Sequence, residues 1–150
     1  MKRISSLFFC LCLLLTSCAS SGIKNSEAVI EKYNAALVSD RKTAAEFWSK
    51  AVFKSDDVEA VINSHLRKMG TNFAQAKFTI LGSKSYKTWV FSGTIFKDVV
   101  EVDVAVMVPP PAAQKSDLVA MQPKALRQLS YLAEFEGKYE IIQSEIREVK

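Results

Sequence analysis

His65 is the only histidine in the chain. With an ordinary pKa near neutrality, an imidazole is the side chain best suited to move a proton. It stands in the run Val58, Val61, Ile62, His65, Leu66, Met69, an apolar stripe at helical spacing. The residue reads either as a pocket acid–base group or as a core histidine held by backbone, and its apolar company favours the second. Asp40 falls between two helical patterns and reads as a turn residue before it reads as a base. Glu101 and Asp103 alternate with Val100, Val102, Val104, Val106 and Val108. If the valines form the core, both carboxylates face outward; only a reversed sheet would bring them into a pocket. Tyr33, Trp48, Trp89, Phe91 and Tyr131, with His65, make up a candidate pocket lining, set against the ordinary packing of aromatics at core positions.

Other chemistry finds little footing. Ser39-Asp40-Arg41-Lys42 matches the S-x-x-K of penicillin-binding enzymes, but four residues match often by chance and the companion motifs are missing. There is no phosphate-binding glycine loop, dinucleotide fingerprint or metal-ligand cluster. The expectation is therefore no metal, no cofactor and no catalytic set, with a binding role ahead of an enzymatic one.

The cysteines carry a different message. Cys10, Cys12 and Cys18 are the only three, and all lie at the start. The apolar run Ile4–Leu15 sits behind Lys2 and Arg3. It is shorter than the ~20 residues a membrane span needs and suits the apolar region of a signal peptide. Leu15-Thr16-Ser17-Cys18 resembles the lipobox of bacterial lipoproteins. The resemblance implies cleavage before Cys18, a diacylglycerol on its sulfur and an acyl chain such as palmitate on its new amine. At ~0.8 kcal/mol per buried methylene, several chains on one residue anchor durably where one holds marginally. The alternative is an ordinary signal peptide cut within Ala19-Ser20-Ser21-Gly22, with Cys18 incidental. Ala19 stands where lipoproteins retained in an inner membrane often carry Asp, so in a two-membrane cell the expected place is the outer membrane, facing the periplasm.

This division gives a signal peptide at 1–17, a lipidated N-terminus and short polar tether at 18–25, and one domain over 26–150. Without the signal, Lys2 and Arg3 leave the 20 basic residues, and 18 remain against 16 acidic ones. So small and interspersed an excess argues against nucleic acid as a partner. No thiol is left for a disulfide, and about 130 residues suffice for a core that stands alone.

Along the domain, Val29, Ile30, Tyr33, Ala36 and Leu37 predict a first helix capped by Asn25 or Ser26. Thr43-Ala-Ala-Glu46 predicts a capping box for a second, burying Ala44, Phe47 and Trp48. Asp56 is the expected cap of a third, ending at Gly70. From Phe73 the period turns to two, with strands over Phe78–Leu81, Tyr86–Phe96 and Val99–Val108, and Gly93 marking a bulge or close approach. Pro109-Pro110-Pro111 ends the last of these, and residues 109–123 form a long loop. Two final strands span Lys124–Glu136 and Tyr139–Val149. Leu129, Tyr131, Ala133 and Phe135 share a face that Tyr139 and Ile141 continue if a three-residue loop, Glu136-Gly137-Lys138, lets Phe135 pair with Tyr139.

Helices followed by an antiparallel meander form an α+β fold with N-terminal helices packed on one sheet face. The stretches Ala35–Trp48 and Leu132–Ile142 resemble the opening helix pair and last hairpin of the nuclear-transport-factor-two-like (cystatin-like) superfamily, with Tyr139 where Trp is common. The resemblance implies a curved, cone-like sheet around the helices with a pocket at its open end. It leaves function open among binding modules, isomerases and hydratases. The expectation is a membrane-anchored envelope protein binding a small apolar ligand or an envelope protein partner. The alternatives are an isomerase- or hydratase-like enzyme using the cone pocket, or a structural subunit of an envelope assembly.

Overall fold

The computed structural model describes residues 4–111 and 122–149, with side chains from residue 21 onward. Three helices, a 3-10 turn and four strands follow in order: α1 (Ile4–Ser39), α2 (Arg41–Ala45), α3 (Ser55–Met69), the turn Phe73–Gln75, β1 (Lys77–Phe91), β2 (Thr94–Val108), β3 (Lys124–Phe135) and β4 (Lys138–Glu148). The strands form one antiparallel sheet in the order β1-β2-β3-β4. The helices cover one of its faces, which is the α+β arrangement expected.

α1 buries Ser26, Ile30, Tyr33 and Leu37, a stripe whose spacings of four, three and four keep it on one helix face. It does not begin at an Asn25 or Ser26 cap. The helix runs unbroken from Ile4, so residues 18–25 have helical backbone rather than the form of a loose tether. Ser26 is fully buried, with its hydroxyl unpartnered among the described residues. Gly22 explains how the helix comes so close to β4: a Cβ there would lie 2.6 Å from the Tyr139 hydroxyl. The Cys18 side chain and residues 112–121 of the proline loop lie outside the described residues. No helix among the described residues is long and apolar enough to cross a membrane.

Asp40 ends α1 and caps α2. Its backbone is extended, and its carboxylate accepts from the Lys42 N–H at 3.0 Å and the Thr43 hydroxyl at 2.7 Å. Those two bonds hold the carboxyl below its usual range. The cap is thus Asp40 and not Thr43, and Glu46 closes the short helix. Trp48 lies beyond it, where Phe47–Ser49 run alongside β4: the Ile141 N–H donates to the Phe47 carbonyl at 2.9 Å, and the Ser49 N–H donates to the Ile141 carbonyl at 3.0 Å. α3 starts at Ser55 after Lys54, which offers no side-chain cap, and the expected cap Asp56 falls in the first turn with Asp57. There both carboxylates suit the positive end of the helix. Gly70, at φ +86°, closes α3.

Two tight turns correct the strand boundaries. Ser92 and Gly93 (φ +49° and +76°) join Phe91 to Thr94, and Glu136 and Gly137 (φ +50° and +80°) join Phe135 to Lys138. Positive φ at both central positions matches the right-handed twist of the flanking strands, which favours two-residue hairpins. Tyr86–Phe96 is therefore a strand, a turn and a strand, with Gly93 in the turn. Phe135 pairs with Lys138 and not Tyr139, and Ile141 faces the helices. The bulges lie elsewhere, at Leu81 in β1 and Ile142 in β4, where the registers slip by one.

Asp98, at φ +51°, is where β2 changes face. From Val100 to Val108 the valines pack under the helices. Val99 and Phe96 pack instead with Tyr131, Ala133 and Ile142 on the opposite face. The distal part of the β1–β2 hairpin thus leans over the far side of the sheet.

Candidate functional site

The helix-side core carries a polar seam. Tyr33 on α1, His65 on α3 and Ser144 on β4 meet there. The His65 Nε2 lies 3.2 Å from the Ser144 carbonyl, an acceptor only, so that nitrogen carries the proton. Nδ1 then has a free lone pair and accepts from the Tyr33 hydroxyl at 3.1 Å. Both ring nitrogens are satisfied in the neutral form. His65 is 2 % exposed, and burial pulls its pKa down to about 4, with the Ser144 carbonyl partly opposing and the Lys68 charge adding to the fall. Burial raises the Tyr33 hydroxyl above its ordinary value, eased in part by the Trp48 indole beside it. A pair so fixed stays neutral through the physiological range and joins three elements.

The seam continues along the sheet. The Ser130 and Ser144 hydroxyls lie 2.8 Å apart, and the Gln128 amide donates to Ser130 at 3.3 Å. The Gln128 carbonyl oxygen and the Asn34 Oδ1 are buried without partners among the described residues. Gln128 and Ser130 are legible as polar residues alternating with Leu129 and Tyr131, a pattern that by itself carries no sign of a role. Their position puts them on the inner face.

The six expected lining residues do not converge on one cavity. Tyr33, Trp48 and His65 belong to the helix-side core, while Trp89, Phe91 and Tyr131 sit in or against the outer cluster. Trp89 stacks on Tyr131 at 4.2 Å and donates its indole N–H to Gln143 at 3.3 Å. Phe53 bridges the two groups, 5.2 Å from Trp48 and 5.9 Å from Phe91, ring centre to ring centre. Glu101 faces outward as expected and accepts from the Tyr86 hydroxyl at 3.1 Å. Burial and Glu101 together push the Tyr131 hydroxyl up to about 12. Asp103 accepts from the Arg127 guanidinium at 2.7 Å. Ser39 bonds back to the Ala35 carbonyl at 2.7 Å, ordinary behaviour for a serine at a helix end.

Open space lies at the surface. A cleft of about 520 Å³ opens between the α2–α3 connection and the start of α3, lined by Trp48, Ser49, Lys50, Phe53, Lys54 and Val58 among others. A second, of about 490 Å³, gathers Gly22, Lys87, Asp98, Glu134 and Tyr139 at the hairpin-turn end of the sheet. Among the described residues no group of three or more His, Cys, Asp or Glu could hold a metal ion.

The sequence matches no protein-family model and no curated protein. Its fold is similar to the crystal structure of an uncharacterised protein with a cystatin-like fold from Caulobacter vibrioides, at a TM-score of 0.54 and 15 % identity over 87 % of this chain and 91 % of that one. The similarity is one of fold: helices, then a four-stranded, curved, open antiparallel sheet.

Proposed function

We propose that the protein is a lipid-anchored envelope protein, held through Cys18, whose domain is a binding module for a small apolar ligand or an envelope protein partner. In a two-membrane cell it sits on the outer membrane, facing the periplasm. The observation that carries the binding reading over the enzymatic one is the state of His65. The only histidine is 2 % exposed, engaged at both nitrogens and held neutral by burial. An acid–base catalyst needs hydrogen-bond reach to a substrate proton, and His65 spends both nitrogens on the fold. The anchor reading rests on the lipobox resemblance and on a domain without a cysteine of its own.

A structural role in an assembly draws support from one feature. Val90 and Ile95 form a cross-strand pair that is 64 % and 66 % exposed.

Cys18→Ala is expected to abolish labelling by a fatty-acid analogue and to block cleavage of the leader; persistent labelling of the variant overturns the anchor. Capture of the native chain from its membranes, with mass spectrometry of the lipids and proteins retained, tests the binding role.

A further inference from the structure

We infer that the cleft at the start of α3 is the ligand site of the binding module proposed above, on which this reading rests, and that it takes a small molecule with an apolar body and a single carboxylate head. The cone interior is closed by its own side chains: Tyr33, Trp48, Ile62, His65, Leu132 and Ile141 are each 2 % exposed or less. The cleft is open, about 520 Å³, a size that suits a small ligand.

Its walls differ in chemistry. Trp48 and Phe53, edge to face at 5.2 Å, and Val58 supply an apolar floor. Lys50 and Lys54 stand on the rim, exposed and without an ion pair among the described residues. Ser49 also lines the cleft, is wholly buried, and its hydroxyl has no partner among the described residues. A buried hydroxyl left unpaired costs free energy that an acceptor would recover. The first turn of α3 adds N–H groups that no side chain caps.

Donors and positive charge around an apolar floor select an anion on an apolar body. Among the charged residues that line the cleft, Glu46 alone opposes Lys50 and Lys54 and leaves one net positive charge; Asp56 and Asp57, in the first turn of α3, lie outside the lining. That single excess charge favours a monoanion such as a carboxylate over a doubly charged phosphate.

The test uses the full-length chain in detergent micelles with both tryptophans replaced by 5-fluorotryptophan, so that Trp48 and Trp89 report separately by fluorine resonance. The probe is 4-phenylbutyrate, with the neutral 4-phenylbutanol as control. The acid is expected to shift the Trp48 signal saturably and leave Trp89 in place, and the alcohol to bind at least about tenfold more weakly. The double variant Lys50→Gln, Lys54→Gln, both exposed and safe for folding, should weaken the acid about tenfold, and Ser49→Ala by a smaller factor. An alcohol that binds as well as the acid, an indifferent lysine pair, or an unmoved Trp48 signal overturns the site. If Trp48 fails to respond while membrane capture still retains a lipid or protein, the cleft assignment falls and the binding module stands. A responsive Trp48 in a chain that captures nothing keeps the site and leaves the envelope role without support.

Discussion

The two faces of the sheet solve the same burial problem by different means. Under the helices, β2, β3 and β4 present Val100, Val102, Val104, Val106, Leu132, Ile141 and Ile146 to α1 and α3, and His65, Ser130, Ser144 and Gln128 run through that apolar layer as a bonded seam. On the far side none of the described helices is available. The β1–β2 hairpin leans over instead, and Phe96, Val99, Tyr131, Ala133 and Ile142 are buried with Trp89 and Phe91 against them. The inner region draws on three helices and three strands. The outer depends on one backbone turn at Asp98 and on aromatic stacking. The inner region should therefore set global stability, and the outer should respond locally.

The two tryptophans, one in each region, provide the largest contrast. Trp48 is 2 % exposed, with its ring against Tyr33 and Phe53. Trp48→Ala should cost about 3–5 kcal/mol, the scale of deleting a buried aromatic side chain. Trp89 is half-buried, and its removal forfeits the stack on Tyr131, a tilted ring contact with Tyr86 and one hydrogen bond, about 1–2 kcal/mol. Denaturant unfolding measures both. Equal losses would mean that the hairpin cluster is as integral as the helical core and would dissolve the distinction.

His65 sharpens it through pH. Its folded pKa lies at about 4 against an ordinary 6.5, so as pH falls the unfolded chain takes up the proton first. The stability this residue contributes is whole above pH 6.5 and is lost progressively down to pH 4. The loss is of the order of 3 kcal/mol, at 1.36 kcal/mol per unit. His65→Gln should cost about 1–3 kcal/mol at pH 7 through an unpaired buried partner, and should flatten the decline between pH 6.5 and 4. Thermal melts of both chains at pH 7.5 and pH 5 make the comparison. A variant that loses stability on acidification as steeply as the native chain would show that other groups govern the window.

How much of this was legible divides along the same line. The inner face wrote itself into periodicity: five valines at every second residue of β2, and a helical stripe from Val58 to Met69. The outer face did not. Its organising event is a single positive φ at Asp98, which brings Phe96 to the side that Val99 already faces, opposite Val100, and an exposed aspartate in a strand carries no sign of that. Two-residue turns hid for a related reason. Ser92-Gly93 and Glu136-Gly137 lack the Asn or Asp that usually marks them, so composition carries one strand on through its turn and suggests a loop one residue too long at the other. The candidate lining failed because strand alternation assigns faces only relative to one another. Aromatic composition suggests Trp89 and Tyr131 for a pocket lining, and the register puts them on the reverse side. The small polar composition of Ala19–Asn25 suggested flexibility. A contact 117 residues away, Gly22 with Tyr139, belongs to tertiary packing that composition does not encode.

That contact marks where the inner region ends toward the start of the chain, and it supplies the smallest expected effect. Alanine is better than glycine inside a helix by about 0.8–1.0 kcal/mol, so Gly22→Ala should stabilise α1 if nothing stands in the way. In the native chain the new methyl would meet the Tyr139 hydroxyl at 2.6 Å. The half-buried ring would have to swing outward and lose its packing against the helix-side core, which offsets the gain and leaves the net change near zero. In a Tyr139→Ala background the obstacle is gone, and the same substitution should yield nearly the full gain. The coupling between the two positions, read from a double-mutant cycle of unfolding free energies, is then about 1 kcal/mol. If residues 18–25 behave instead as a flexible tether, Gly22→Ala will do nothing in either background and the coupling will vanish. The inner region would then begin at Ser26, and Tyr139 would close the sheet end without α1.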